Sequence, residues 1–274
     1  MTEITVRRIP HFSLAQICRS GQCFRMREEA DHRYTIVAGD RFLRAWQQGE
    51  DSFFACSEAE FDGFWKEYFD LDRDYGAYIA QINPNDHYLL RAAQLGSGIR
   101  ILRQELWEMI VSFLISQQNH IARIRRCIEN ICECYGEERV SSQGDVYRAF
   151  PKLEVLAGLS DDALKECNLG YRSKYVVRAA QAVVSGQINL EQVACMPYKK
   201  AREELLKLFG VGEKVADCIC LFALHRLQAF PVDTHISQAM QAHYKRGFPN
   251  RRYRGFQGVM QQYIFYYELY GKAL

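Results

Sequence analysis

The hydrophobic pattern of the chain changes period near residue 85. Before it, apolar positions fall in short, aromatic-rich runs at 34–38, 42–46 and 53–56, separated by Gly39-Asp40 and Gly49-Glu50-Asp51. Runs of this length with turn residues between them predict an antiparallel meander. Ser57-x-x-Glu60 then has the form of a capping box, and Phe61, Phe64, Trp65, Tyr68 and Phe69 behind it share a helical face expected to pack on that sheet. Pro84 and Asp86 mark the expected boundary. Beyond it the period is helical: Leu106, Met109, Ile110, Phe113 and Leu114 follow one face, 122–134 continues, 153–159 and 164–169 precede a turn at Gly170, and 256–269 closes the chain. No internal repeat or low-complexity tract interrupts this order. The prediction is an α+β chain, with an antiparallel β domain and its packed helix over 1–84 and a helical domain over 85–274.

The stretch 205–240 organises the helical part. Leu205, Leu206, Leu208 and Phe209 recur at helical spacing before Gly210-Val211-Gly212, and Val215, Ile219, Phe222 and Ala223 recur after it. A helix, a tight turn and a second helix are therefore expected over 200–224. Glycines permit positive φ and leave amides uncovered, so the start of the second helix offers N–H groups and a positive dipole end to an anion such as phosphate. Lys214 falls in the first turn of that helix, where the dipole opposes protonation and makes the amine a candidate nucleophile. Neutrality near pH 7 needs about 4 kcal/mol. An exposed helix end supplies only about 0.3 to 1 kcal/mol, so burial or a local base must add to it. Asp233, in the loop 230–235, is the nearest candidate base along the chain; it precedes the helical run 234–244 and has the position of an N-cap fixed by backbone amides.

Composition narrows the setting. The 274 residues are 48% hydrophobic and 25% charged, ordinary for a globular fold, and a net charge of +2 does not by itself announce nucleic acid. Local charge says more: 244–254 is basic with aromatics interleaved, and Arg123, Arg125 and Arg126 crowd one helix, although either could be a solvated face. Ten cysteines without an N-terminal signal or a long apolar run predict reduced thiols. Cys127, Cys132 and Cys134 lie close together but lack a C-x2-C pair, and no metal is expected there.

The pattern GVG-x-K, with nineteen residues from Lys214 to the Asp233 of PVDTH, resembles the helix-hairpin-helix DNA glycosylase superfamily. GVGEKVADCICLFAL resembles its 8-oxoguanine DNA glycosylase branch, and the likeness runs from Ser20-Gly21-Gln22 to the C-terminal helix. The resemblance implies an N-terminal domain of the TATA-binding-protein-like kind and, because no cysteine follows Cys220, no iron–sulfur cluster. It implies that the Gly21 carbonyl accepts a hydrogen bond from N7–H of the oxidised base, where normal guanine presents a lone pair. Cys218 and Phe265 would clamp the flipped base and Gln261 would bind its Watson–Crick edge. Asn119 and Arg123 would lie at the lesion, Tyr171 would wedge into the stack, and Arg123 and Arg172 would read the cytosine left behind.

Gln118 stands where the animal enzymes carry Asn, and Phe209 where Pro is common; the longer Gln amide keeps hole filling possible. Gly210, Gly212 and His235 match DNA-contacting positions, and the carbonyls of Leu206, Leu208 and Val211 match those that hold a monovalent cation. The implied activity is bifunctional: excision of 8-oxoguanine, preferably opposite cytosine, through a Schiff base on Lys214, with Asp233 stabilising charge on the sugar, followed by β-elimination. The alternatives are a helix-hairpin-helix glycosylase for alkylated purines or oxidised pyrimidines, or a non-catalytic DNA-binding module. The implied partner is double-stranded DNA containing oxidised guanine, bound by a monomer away from membranes. With no secretion signal, the expected compartment is the cytoplasm at the nucleoid in a bacterium, or the nucleus in a eukaryote.

Overall fold

The computed structural model describes residues 3–271. Five antiparallel strands, β1 (Thr5–Arg8), β2 (Met26–Glu28), β3 (Arg33–Ala38), β4 (Arg41–Gln48) and β5 (Asp51–Phe54), form one sheet in the order β1-β5-β4-β3-β2. The predicted meander is its centre, closed by turns in which Gly39 and Gly49 hold φ of 59° and 60°. The two outer strands were not foreseen. TVRR and MRE are short, and each strand is defined by a partner rather than by its own alternation. Tyr34, Ile36, Leu43, Ala45 and Phe54 bury one face against α1 (Leu14–Arg19) and against Phe61, Trp65, Tyr68 and Phe69. Ser57 caps that aromatic helix by accepting from the Glu60 amide at 3.1 Å, but the Glu60 carboxylate takes the Trp65 indole N–H at 3.1 Å. Only half of the capping box forms, and a π turn at Phe61–Trp65 widens the helix behind it.

A second, larger core holds the helical part, and it already includes Tyr75 and Ile82. The turn near Pro84 opens a helix, His87–Leu95, whose N-cap Asp86 accepts from the Leu89 amide at 3.0 Å. Packing thus divides the chain earlier than Pro84. The two cores interlock, because Phe24 belongs to the helical core and Leu102 to the sheet's core. The elements that build the site are α2 (Leu106–Ser116), α3 (Ile121–Tyr135), α4 (Tyr198–Leu205), α5 (Glu213–Phe222), α6 (Thr234–His243) and α7 (Gln257–Tyr270).

Three local features were not foreseen. A two-stranded ribbon, β6 (Glu138–Val140) with β7 (Val146–Arg148), follows α3; its Val140 and Val146 are exposed, so no buried alternation betrays it. The stretch 164–169 is mostly turn, with one 3-10 turn at Ala163–Lys165. The first hairpin helix stops at Leu205, and Leu208 is buried in the turn while Phe209 is exposed.

Candidate active site

The two hairpin glycines do different things. Gly210 has a φ of 88°, and a Cβ there would lie 2.6 Å from the ring of Tyr175, so both conformation and space require glycine. Gly212 is extended and has open space where a Cβ would go. It is the N-cap of α5 without a side-chain cap, which leaves the first-turn amides free for an anion. Lys214 enters from this turn, half-buried, with Nζ 5.6 Å from the centre of the Phe113 ring. Across from it, Asp233 caps α6 as expected, its Oδ1 accepting from the Ile236 amide at 2.8 Å. Burial pushes the Cys218 thiol up to about 11, with Lys214 opposing that rise and Asp233 adding to it. Both charged groups therefore lie within electrostatic reach of that thiol.

Lys214 and Asp233 line one cavity of about 410 Å³ together with Gly21, Phe113, Asn119, His120, His235 and Phe265. They also line an adjoining groove of about 530 Å³ with Gln117, Gln118, Asn119, Gly212 and His235. Gly21 holds a φ of 74°, and a Cβ on it would come within 3.0 Å of Phe265 Cε1. The Gly21 turn and the Phe265 ring are therefore in direct contact. The His235 ring meets Phe265 edge-on at 6.0 Å and 82°.

Other predicted residues are placed differently. Cys218 is buried behind Lys214 and is not on the cavity wall. Gln261 is 4% exposed; its Nε2 donates to the Pro231 carbonyl at 3.0 Å and its Oε1 accepts from Gln262 Nε2 at 3.3 Å. It therefore holds the loop that delivers Asp233. Arg172, expected to face the opposite base, is 4% exposed and donates to the Gln117 carbonyl at 2.9 and 2.6 Å and to the Gln118 carbonyl at 3.0 Å. Its guanidinium also packs 4.5 Å from the centre of the exposed Tyr171 ring. Here it is an anchor for the 117–119 loop, with its donors already engaged. Arg123 only brushes the Asn168 carbonyl at 3.5 Å, and Arg125 joins α3 to α1 by donating to the Cys18 carbonyl at 2.6 Å.

Tyr171 donates to Gln118 Oε1 at 3.5 Å, Gln118 holds a φ of 47°, and Asn119 Nδ2 donates to the Ile115 carbonyl at 3.2 Å. In the hairpin turn the Leu208 carbonyl accepts the Val211 amide at 3.0 Å; Leu206 flanks it at the end of α4. Three residues of the site were not expected there: Phe113 beside Lys214, Gln117, and His120, which caps α3 by accepting the Arg123 amide on Nδ1 at 3.3 Å. A polar residue directly before the helical run was the available clue for His120. Among the described residues, no group of His, Cys, Asp and Glu could hold a metal ion, and no helix is long and apolar enough to cross a membrane.

Comparison with known proteins agrees with this arrangement. Residues 4–110 match the 8-oxoguanine DNA glycosylase N-terminal domain, and residues 111–250 match the HhH-GPD superfamily of base excision DNA repair proteins. The structure superposes, at a TM-score of 0.91 and 34% identity, on a Clostridium acetobutylicum 8-oxoguanine glycosylase/lyase in complex with double-stranded DNA containing cytosine opposite 8-oxoguanine, covering 99% of this chain and 98% of that one. An N-glycosylase/DNA lyase of Saccharomyces cerevisiae is 37% identical over 54% of this chain, and a probable N-glycosylase/DNA lyase of Methanothermobacter thermautotrophicus is 30% identical over 67% of it. The match spans 42% and 64% of the length of those two relatives. Both halves of the chain and the site between them place it in one lineage: the chain belongs to the HhH-GPD superfamily of base excision DNA repair proteins, in its 8-oxoguanine DNA glycosylase branch.

Proposed function

We propose that this chain excises 8-oxoguanine from duplex DNA and then cleaves the strand at the resulting abasic site, using Lys214 as a covalent nucleophile. The observation that carries the reading is the shared cavity: a lysine in the first turn of α5 and a carboxylate at the start of α6 face the same 410 Å³ space, with Gly21 and Phe265 on its wall. The substrate named for the Clostridium relative supports the choice of base.

In this reading, uncapped amides at Gly212–Lys214 take a backbone phosphate while Tyr171 enters the stack, which offsets the few kcal/mol of extruding the base. The lone pair of the Lys214 amine forms a bond to C1′ as the C1′–N9 bond breaks; the base leaves with the electrons of the broken bond and takes up the proton that the attacking amine sheds. Positive charge developing on the sugar is stabilised by Asp233, whose Oδ1 is held by the α6 amide. Ring opening gives a protonated Schiff base; loss of a 2′ proton then expels the 3′-phosphate. The carbonyl oxygens of Leu206, Leu208 and Val211 are neutral, hard donors, and they would hold a monovalent cation beside the same phosphate. Cytosine preference falls to Arg123, with Arg172 acting through the loop it anchors. A single subunit holds the whole cavity, which supports action as a monomer on DNA, in the compartment that holds the genome.

Incubation with an 8-oxoguanine duplex tests the reading. Base release and strand cleavage are expected together. Release of alkylated purines or oxidised pyrimidines in preference to 8-oxoguanine would favour the other superfamily activities, and binding without release would leave a DNA-binding module.

A further inference from the structure

The loop carrying Gln118 and Asn119 is held on both sides by a residue with no role assigned so far. Gln117 follows the last residue of α2, and its Nε2 donates to the Gly210 carbonyl at 2.9 Å and to the Leu114 carbonyl at 3.3 Å. Its own carbonyl accepts Nε and Nη2 of Arg172 at 2.9 and 2.6 Å. Gly210 belongs to the turn that opens α5 and so presents Lys214, while Arg172 lies under Tyr171. Two polar groups of one residue therefore join the phosphate-docking turn, the lesion-side loop and the wedge.

We propose that Gln117 is a positioning residue that couples phosphate docking at the hairpin to the loop that fills the space left by the extruded base. The inference rests on the function proposed above and deepens it. Gln118, the next residue, holds a φ of 47°, a conformation that a non-glycine side chain keeps only while its surroundings enforce it. The Gly210 end of the strut holds a φ of 88° and packs closely on the Tyr175 ring. A phosphate on the α5 amides immobilises the Gly210 carbonyl, and Gln117 passes the constraint to Gln118 and Asn119. Lys214 and Asp233 are held by their own helices, so the coupling acts on base extrusion and not on chemistry at C1′.

The test compares Gln117→Met, which keeps length and removes the donor, with Gln117→Glu. Single-turnover release from an 8-oxoguanine:cytosine duplex is expected to fall about tenfold in both, the scale of one lost hydrogen bond. Borohydride trapping at a preformed abasic site, where no base must be extruded, is expected to stay within about twofold of the wild type. Unchanged release, or an equal loss on both substrates, overturns the proposal. Hydrogen exchange on the unaltered chain tests it without substitution: a duplex carrying a tetrahydrofuran abasic analogue should protect 117–119 together with 210–214, and protection confined to 210–214 contradicts it. An unaltered chain that traps at neither site would refute the proposed function, leaving the coupling to be judged by the exchange result.

Discussion

Replacing Gly21 with Ala separates a base-recognition role from a turn role. The φ of 74° places an L residue in the left-handed region, which costs about 1 to 2 kcal/mol. The added Cβ would sit 3.0 Å from Phe265 Cε1, tighter than ordinary contact, so the ring must shift by a few tenths of an ångström or the turn must open. Backbone strain alone predicts a fall in the melting midpoint of about 2 to 4 °C for a chain of this size. The functional loss has a different origin, because the displaced ring intrudes on the cavity that Gly21 and Phe265 both line. Release of 8-oxoguanine under single-turnover conditions should fall at least about tenfold, equivalent to about 1.4 kcal/mol in the barrier. Trapping at a preformed abasic site, which places no base in that cavity, should change by less than about twofold. A lowered midpoint with undiminished release of 8-oxoguanine would refute the reasoning and leave Gly21 as a turn glycine.

Three other perturbations follow from the geometry. Arg172→Ala should slow release by a similar factor opposite every base, since it frees the Gln117 and Gln118 carbonyls, whereas Arg123→Ala should relax the preference for cytosine by about 1 to 3 kcal/mol; measuring release opposite all four bases distinguishes them. Glu108, buried on α2 with Arg25 at 3.8 Å, has its carboxyl raised from 4.5 to about 7 by burial, against the pull of Arg25. The folded state thus holds the proton more tightly than the unfolded chain, so this contribution is full below pH 4.5 and is lost as pH rises through 7, by about 3 kcal/mol at most. Glu108→Gln should flatten urea-unfolding stability between pH 5 and 8 relative to the unaltered chain, and parallel profiles would contradict the assignment.

The sequence made the placement of the site's main residues legible because its signals are local. Glycine punctuation, a lysine in the first helical turn and an aspartate before a helix each act within a few residues, and the structure puts Lys214 and Asp233 at those helix starts. The middle strands were readable for the same reason. What escaped depends on partners distant in sequence. β1 exists through pairing with β5, Arg172 is buried by carbonyls of a loop some fifty residues away, and Gln261 turns from the cavity because Pro231 offers an acceptor. A resemblance assigns a residue to a position, but which of its hydrogen bonds are already used is decided by packing.

The central claim is that the Lys214 nitrogen forms a covalent bond to the sugar of the damaged nucleotide. Borohydride reduction during reaction with an 8-oxoguanine duplex, followed by peptide mass spectrometry, tests it directly. A stable adduct on the peptide containing Lys214, absent from Lys214→Gln although that variant still binds DNA, is the predicted result. Equal trapping by Lys214→Gln, or base release by the unaltered chain with no adduct, would contradict it.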